Sequence, residues 1–206
     1  MDKQTLKARS ALDGYQLELD GFHLVEISDT QLISLSFSPS NAANAKAQFS
    51  ELFSITAPEV GSLAKSTQDE EAAHELAPTL LGLQRDQYWV FTTQTSSDLL
   101  AALKSVKDPL FYTSNQSDGW SLLSVSGQHT PKVMERVCQL DLHHSVFDNM
   151  SVARTSIEHM SAVIFRSTQS GFMILTPRSS AHSLVHALKH AANHVIAEGS
   201  LATHSS

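Results

Sequence analysis

The stretch LLSVSGQHTPKVMERVCQL (residues 122–140) has the same layout as LSFSPSNAANAKAQFSELF (residues 35–53). Each reads as the end of an apolar strand, a short Ser-containing turn with Pro or Gly, and an amphipathic helix. A second matched pair follows in the same order, YWVFTTQTSSDLLAAL (residues 88–103) and FMILTPRSSAHSLVHAL (residues 172–188), each a strand, a short turn and a helix. The offset is 88 residues in the first pair, Phe37 against Val125, and 84 in the second, Thr92 against Thr176. Two pairs in a fixed order predict a duplicated βαβ-containing unit and an α+β fold.

Outward from these pairs, YQLELDGFHLVEI and QLISLSF between residues 14 and 37 read as two strands, with alternating or β-branched apolar positions. The helix after Ser38 and Ser40 turns Ala43, Ala47 and Phe49 inward. Residues 56–78 become polar and acidic, which predicts a surface loop or short helical excursion. LLGLQRDQYWVFTT gives a strand or hairpin, and SSDLLAALKSV a short helix with Leu99, Leu100, Leu103 and Val106 on one face. LFYTSNQSDGWSLLSVSG reads as a hairpin turning at residues 115–119. Thr130 as cap and Pro131 at the first position open the next helix. Strands fill residues 152–176, turning around Ser170 and Gly171, and a last helix runs over 179–197. The expected organisation is a mobile segment at 1–13, one α+β domain over 14–197 with halves at about 14–110 and 111–197, and a polar tail at 198–206.

The chain has 206 residues, 41% of them hydrophobic, enough to bury a sizeable core. Charged residues amount to 17%, which favours a subunit because interface centres are poor in charge. A net charge of -7 with 14 scattered basic residues argues against nucleic acid and against a polybasic membrane anchor. No apolar run approaches the ~18 residues of a membrane span, and the N-terminus lacks a secretion signal. The single cysteine, Cys138, excludes an internal disulfide and a multi-thiolate metal site. These features predict a cytoplasmic protein.

HSLVHALKHAANH (residues 182–194) places a histidine at every fourth position. At about 100° per residue, His182, His186, His190 and His194 fall opposite Leu184, Leu188, Ala191 and Val195. That is a solvated or partner-facing stripe, and its helix adds no carboxylate or thiolate to complete a metal site. Cys138 lies beside Met134 on the apolar side of its helix, so the reading as a small hydrophobe outweighs that of a nucleophile near His143 and His144. HELAP (residues 74–78) begins like a zinc-protease motif but has Pro where the second His belongs. Neither GxGxxG, a P-loop nor GxSxG occurs, and eight glycines leave little material for such loops. We assign no catalytic, cofactor-binding or metal-binding residue. Arg154, Arg178, Trp89 and Trp120 are the interface or structural candidates: the arginines as turn organisers or carboxylate partners, the tryptophans as core or interface anchors.

The order GWSLLSVSG, VCQLDL, VF, VARTSI, AVIFR and GFMILTPRSSAHSL resembles the gamma subunit of heterotetrameric sarcosine oxidase. LLGLQRDQYWVF is similar to a further strand of that family. The similarity spans roughly residues 20–197 and concentrates in 119–190. Gln139 stands where the family has Pro, Gln84–Gln87 replaces a Pro-Asp-Glu turn, and residues 56–78 have no counterpart. The resemblance implies duplicated ferredoxin-like halves, mainly antiparallel sheet with packed helices, as in the folate-binding domain of aminomethyltransferases. It also implies a non-catalytic chain in a complex with alpha, beta and delta-type subunits that demethylates sarcosine to glycine with peroxide. The one-carbon unit then passes to tetrahydrofolate; FAD, FMN, NAD and tetrahydrofolate sit on the partners. The alternative is a stand-alone folate-binding or one-carbon protein of the aminomethyltransferase type, for which Asp141 and Arg178 are the nominated polar groups.

Overall fold

The computed structural model describes residues 9–65, 78–93 and 99–204. In chain order these contain β1 (Gln16–Leu19), β2 (Phe22–Ile27), β3 (Gln31–Ser36), α1 (Ala42–Phe53), β4 (Leu63–Lys65), β5 (Thr79–Gln84) and β6 (Gln87–Thr92). They continue with α2 (Leu99–Lys104), β7 (Tyr112–Asn115), β8 (Trp120–Ser126), α3 (Thr130–Val137), β9 (Val152–Ile157), β10 (Met160–Thr168), β11 (Gly171–Pro177) and α4 (Ala181–His204).

Every strand pair is antiparallel, and the strands form two sheets, β1-β2-β8-β11-β10-β9 and β4-β5-β6-β3-β7. The second sheet is a ferredoxin-like unit: β3, α1, β5, β6, α2 and β7 in chain order, with β4 added beside β5. The first repeats it with β8, α3, β10, β11 and α4, and with β9 added beside β10. Its closing strand, however, is β2 from the start of the chain, paired with β8 through Leu24 and Val125. The sheets therefore cross the expected boundary near residue 110, because β1 and β2 join the later unit.

Four layers result, helices α3 and α4, first sheet, second sheet, then helices α1 and α2, and three apolar clusters fill the gaps between them. Strand alternation sends neighbouring side chains to opposite layers. In β3, Leu32 faces the other sheet while Ile33 and Leu35 face α1 and α2. In β8, Leu122 faces the other sheet while Leu123 and Val125 face α3 and α4. Strands covered on both sides read as continuous apolar runs, such as the four buried residues Ala162, Val163, Ile164 and Phe165 in β10.

Several local expectations change. In α1 the buried residues are Ala45 and Phe49; Ala43 and Ala47 are exposed, since the buried stripe follows positions four apart from Phe49. Residues 56–65 are not only loop: Pro58 and Leu63 are buried and β4 forms an edge strand. Residues 66–77, which hold the acidic run and most of HELAP, lie outside the described residues. No hairpin joins β7 to β8. β7 pairs with β3 in one sheet, while β8 lies between β2 and β11 in the other, so residues 116–119 carry the chain from sheet to sheet. The cap of α3 is His129, and Thr130 is buried at the start of the helix. α4 continues to His204 rather than ending in a tail at 198.

The segment expected to be mobile divides at residue 9. Residues 1–8 are outside the described residues, but Leu12 is buried and the next turn is tied to Glu26. Among the described residues no helix is long and apolar enough to cross a membrane.

Candidate functional site

The residues singled out in the sequence fall into two places. Trp89 on β6 and Trp120 on β8 meet across the sheets with ring centroids 4.7 Å apart and planes at 74°, an edge-to-face contact. Arg154, on the edge strand β9, reaches over the same ring, with Cζ 4.9 Å from the Trp89 centroid, and donates from Nη2 to Oε1 of Gln87 at 2.8 Å. Burial pushes the Arg154 guanidinium below its ordinary value. These three residues act as a clasp between the sheets. Nε1 of Trp89 is buried with no hydrogen-bond partner among the described residues.

Arg178 lies elsewhere, in the turn between β11 and α4. Its backbone N donates to the Gly119 carbonyl at 2.9 Å. Its Nη2 donates to the carbonyls of Arg9 at 2.6 Å and Ser10 at 3.2 Å. The side chain therefore stitches the N-terminal segment to the end of the first sheet. Asp141 is not among these partners; its Oδ1 accepts from the backbone N of His143 at 2.9 Å.

Beside Arg178 opens a cleft of about 390 Å³ at the ends of β2, β3, β8 and β11. Ile27, Leu32, Leu122 and Leu175 give it an apolar floor, and Trp120 lines it. Ser10, Glu26, Thr30, Ser117 and Arg178 in its polar lining are hydrogen-bonded to the chain itself, and Arg9, Asp29 and Asp118 line it as well. Glu26, 6% exposed, accepts from the Ser10 hydroxyl at 2.8 Å, Leu12 N at 3.1 Å and Gly14 N at 2.8 Å. A carboxylate so saturated is a poor general base, because a proton or ligand must displace bonds already made. One group differs: Ser121, also 6% exposed, lines the cleft and its Oγ has no partner among the described residues.

The histidine stripe lies on the exposed face of α4, as its periodicity predicts. His186, His190 and His194 border an open hollow of about 580 Å³ together with Arg136 of α3 and Glu158 of the β9–β10 turn. The rings of His190 and His194 meet tilted by 40° with centroids 4.4 Å apart. No three His, Cys, Asp or Glu side chains among the described residues are grouped to hold a metal. Cys138 is buried in the cluster under α3 and α4.

Two buried ions escaped sequence reading, Glu26 and Arg166. Arg166, 3% exposed, donates from Nε to the Phe147 carbonyl at 2.7 Å, from Nη1 to Gln169 O at 2.6 Å, and from Nη2 to Leu142 O. Its Cζ lies 4.6 Å from the Phe172 ring centroid. Each ion occupies a strand position whose alternation points inward. An apolar residue there is the ordinary expectation, and only the carbonyls or amides of a distant loop make a charge tolerable.

Residues 68–205 match the family described as GCVT N-terminal domain. The fold is similar to a chain of the heterotetrameric sarcosine oxidase from Corynebacterium sp. U-96, solved in complex with pyrrole 2-carboxylate. The TM-score is 0.75 at 18% identity, covering 91% of this chain and 96% of that one. It is also similar to the glycine cleavage system aminomethyltransferase T from Bartonella henselae, with a TM-score of 0.58 and 16% identity over 82% of this chain. There it spans 45% of the other chain. No curated protein matches the sequence. At these identities the likeness is one of fold.

Proposed function

We propose, from the premise that this chain belongs to the GCVT N-terminal domain family, that it is a non-catalytic, gamma-type subunit of a sarcosine-oxidising complex. One observation carries this reading: the fold runs nearly end to end along one whole chain of a heterotetrameric sarcosine oxidase, whereas it spans under half of an aminomethyltransferase. The state of the cleft supports it. Glu26 and Arg178, two of the ionisable groups that line it, are engaged with the chain's own backbone.

In this role the chain contributes surface. Obligate interfaces bury ~2,000 Å² or more, and a four-layer core clasped by Arg154, Trp89 and Trp120 keeps such a surface rigid. The partners are the alpha, beta and delta-type subunits, with FAD, FMN, NAD and tetrahydrofolate bound on them, and the large folate-binding alpha subunit is the one stabilised. The test is to express the chain alone and together with the polypeptides encoded beside it. Co-purification, flavin colour and sarcosine-dependent peroxide from the assembly support the reading; turnover by the solitary chain refutes it.

A second reading, a stand-alone folate or one-carbon binder, is favoured by one feature, the unpartnered Ser121 Oγ beside Trp120 in the cleft. Calorimetric titration of the isolated chain with tetrahydrofolate separates the two. Tight binding abolished by Trp120→Ala establishes the second.

A further inference from the structure

We propose that the corner formed by the turn at 59–61 and the loop at 139–151 is a docking surface for a larger protein partner whose contact face is apolar and edged by basic side chains. The inference rests on the subunit reading and says where the subunit is held.

Five large apolar side chains stand most exposed among the described residues, and three of them belong to these two segments: Val60 at 55%, Val146 at 64% and Met150 at 49%. The segments meet where the edge strands of the two sheets come together. Leu63 N donates to the Met150 carbonyl at 2.7 Å, Val152 N to the Gly61 carbonyl at 2.9 Å, and Ser62 pairs with Ser151.

The loop is also fixed from beneath. Arg166 holds the carbonyls of Leu142 and Phe147, and Phe147 is buried against Phe172. At its end the Asp148 carboxylate accepts from Met150 N at 2.8 Å and from the Ser151 hydroxyl at 2.9 Å. A segment of this length without helix or strand, yet pinned by a buried guanidinium, holds its apolar side chains in water in a set geometry. Little entropy is then lost when a partner covers them.

Charge selects the occupant. The exposed carboxylates in these two segments are Glu59, Asp141 and Asp148, with the exposed imidazoles of His143 and His144 beside them, while Arg166 is buried and committed to carbonyls. A second copy would bring like charges together, whereas a basic rim on a different protein is attracted.

The experiment uses the full chain co-expressed with the polypeptides encoded beside it. It compares wild type, Val60→Asp/Met150→Asp, and Tyr112→Asp as an exposed apolar control on the distant edge strand β7. Far-UV circular dichroism and melting temperature of each isolated chain show that the fold is kept. The double variant should lose the partner, with a Kd raised by about tenfold or more, while Tyr112→Asp retains it. Glu59→Lys should weaken binding at low salt and lose its effect at high salt. If the double variant keeps the partner, this surface is wrong and the subunit reading survives; if wild type captures no partner, both fall. A wild-type dimer in sedimentation that the double variant disperses would assign the corner to a second copy and overturn the proposal.

Discussion

Arg154 on β9 lies over the ring of Trp89 on β6, its Cζ 4.9 Å from the ring centroid, and the contact joins two sheets that belong to different halves of the fold. The edge strand of one ferredoxin-like unit is thereby fastened to a central strand of the other. A guanidinium spread over an indole face is attracted by the ring quadrupole, and the Gln87 bond fixes its plane.

Removing this clasp should weaken the sandwich modestly. Arg154→Ala is expected to cost about 0.5–1 kcal/mol, the range for a largely exposed cation–π contact. Arg154→Lys should restore part of it, since the ammonium keeps the charge but loses the planar fork. Urea denaturation of the three proteins checks this; equal midpoints would refute it.

Glu26 fastens the N-terminal segment to β2. Glu26→Ala leaves the buried amide of Leu12 without its acceptor and leaves Gly14 N with only the Ser10 hydroxyl. The expected cost is about 1–3 kcal/mol. Hydrogen exchange should accelerate at residues 12–14 well before it does in the strands, because only that segment depends on the carboxylate.

Arg166 anchors the loop at 139–151 by two carbonyl bonds and ties it to the β10–β11 turn by a third, to Gln169. Arg166→Met keeps much of the aliphatic stem against Phe172 but orphans the Phe147 and Leu142 carbonyls. We expect a loss of about 2–4 kcal/mol and new cleavage of this loop under limited proteolysis, with the sheets still intact.

Asp148 gives a sign for pH. The amide of Met150, then the Ser151 hydroxyl, hold its carboxyl below the ordinary aspartate range. A group whose folded value is depressed adds stability above its unfolded value, near pH 4, and loses it as pH falls through the lower folded value. Wild type should therefore lose stability relative to Asp148→Asn as pH falls from about 4 through the lower folded value. Melting curves over that range measure it.

The two matched strand–turn–helix pairs anticipated the duplicated α+β fold because each signal is carried by residues close in sequence. A 3.6-residue apolar stripe or a two-residue alternation is set by the geometry of one helix or one strand. The same locality placed the histidine stripe outside the core and Cys138 inside it. Trp89, Trp120 and Arg154 could be named, but their meeting could not, since 31 residues separate the tryptophans and 34 more precede Arg154.

Alone, the sequence determined most of the strands and helices, β4 excepted, roughly where they begin, and which side of most of them avoids water. Only the tertiary structure decided that β2 closes the later sheet, that β7 and β8 part company, and that Glu26 and Arg166 are buried ions. The reason is physical. One strand edge offers the same amides and carbonyls as another, so pairing is settled by which arrangement buries both faces of both sheets at once. A charge inside is tolerated only where that arrangement brings distant backbone groups to meet it.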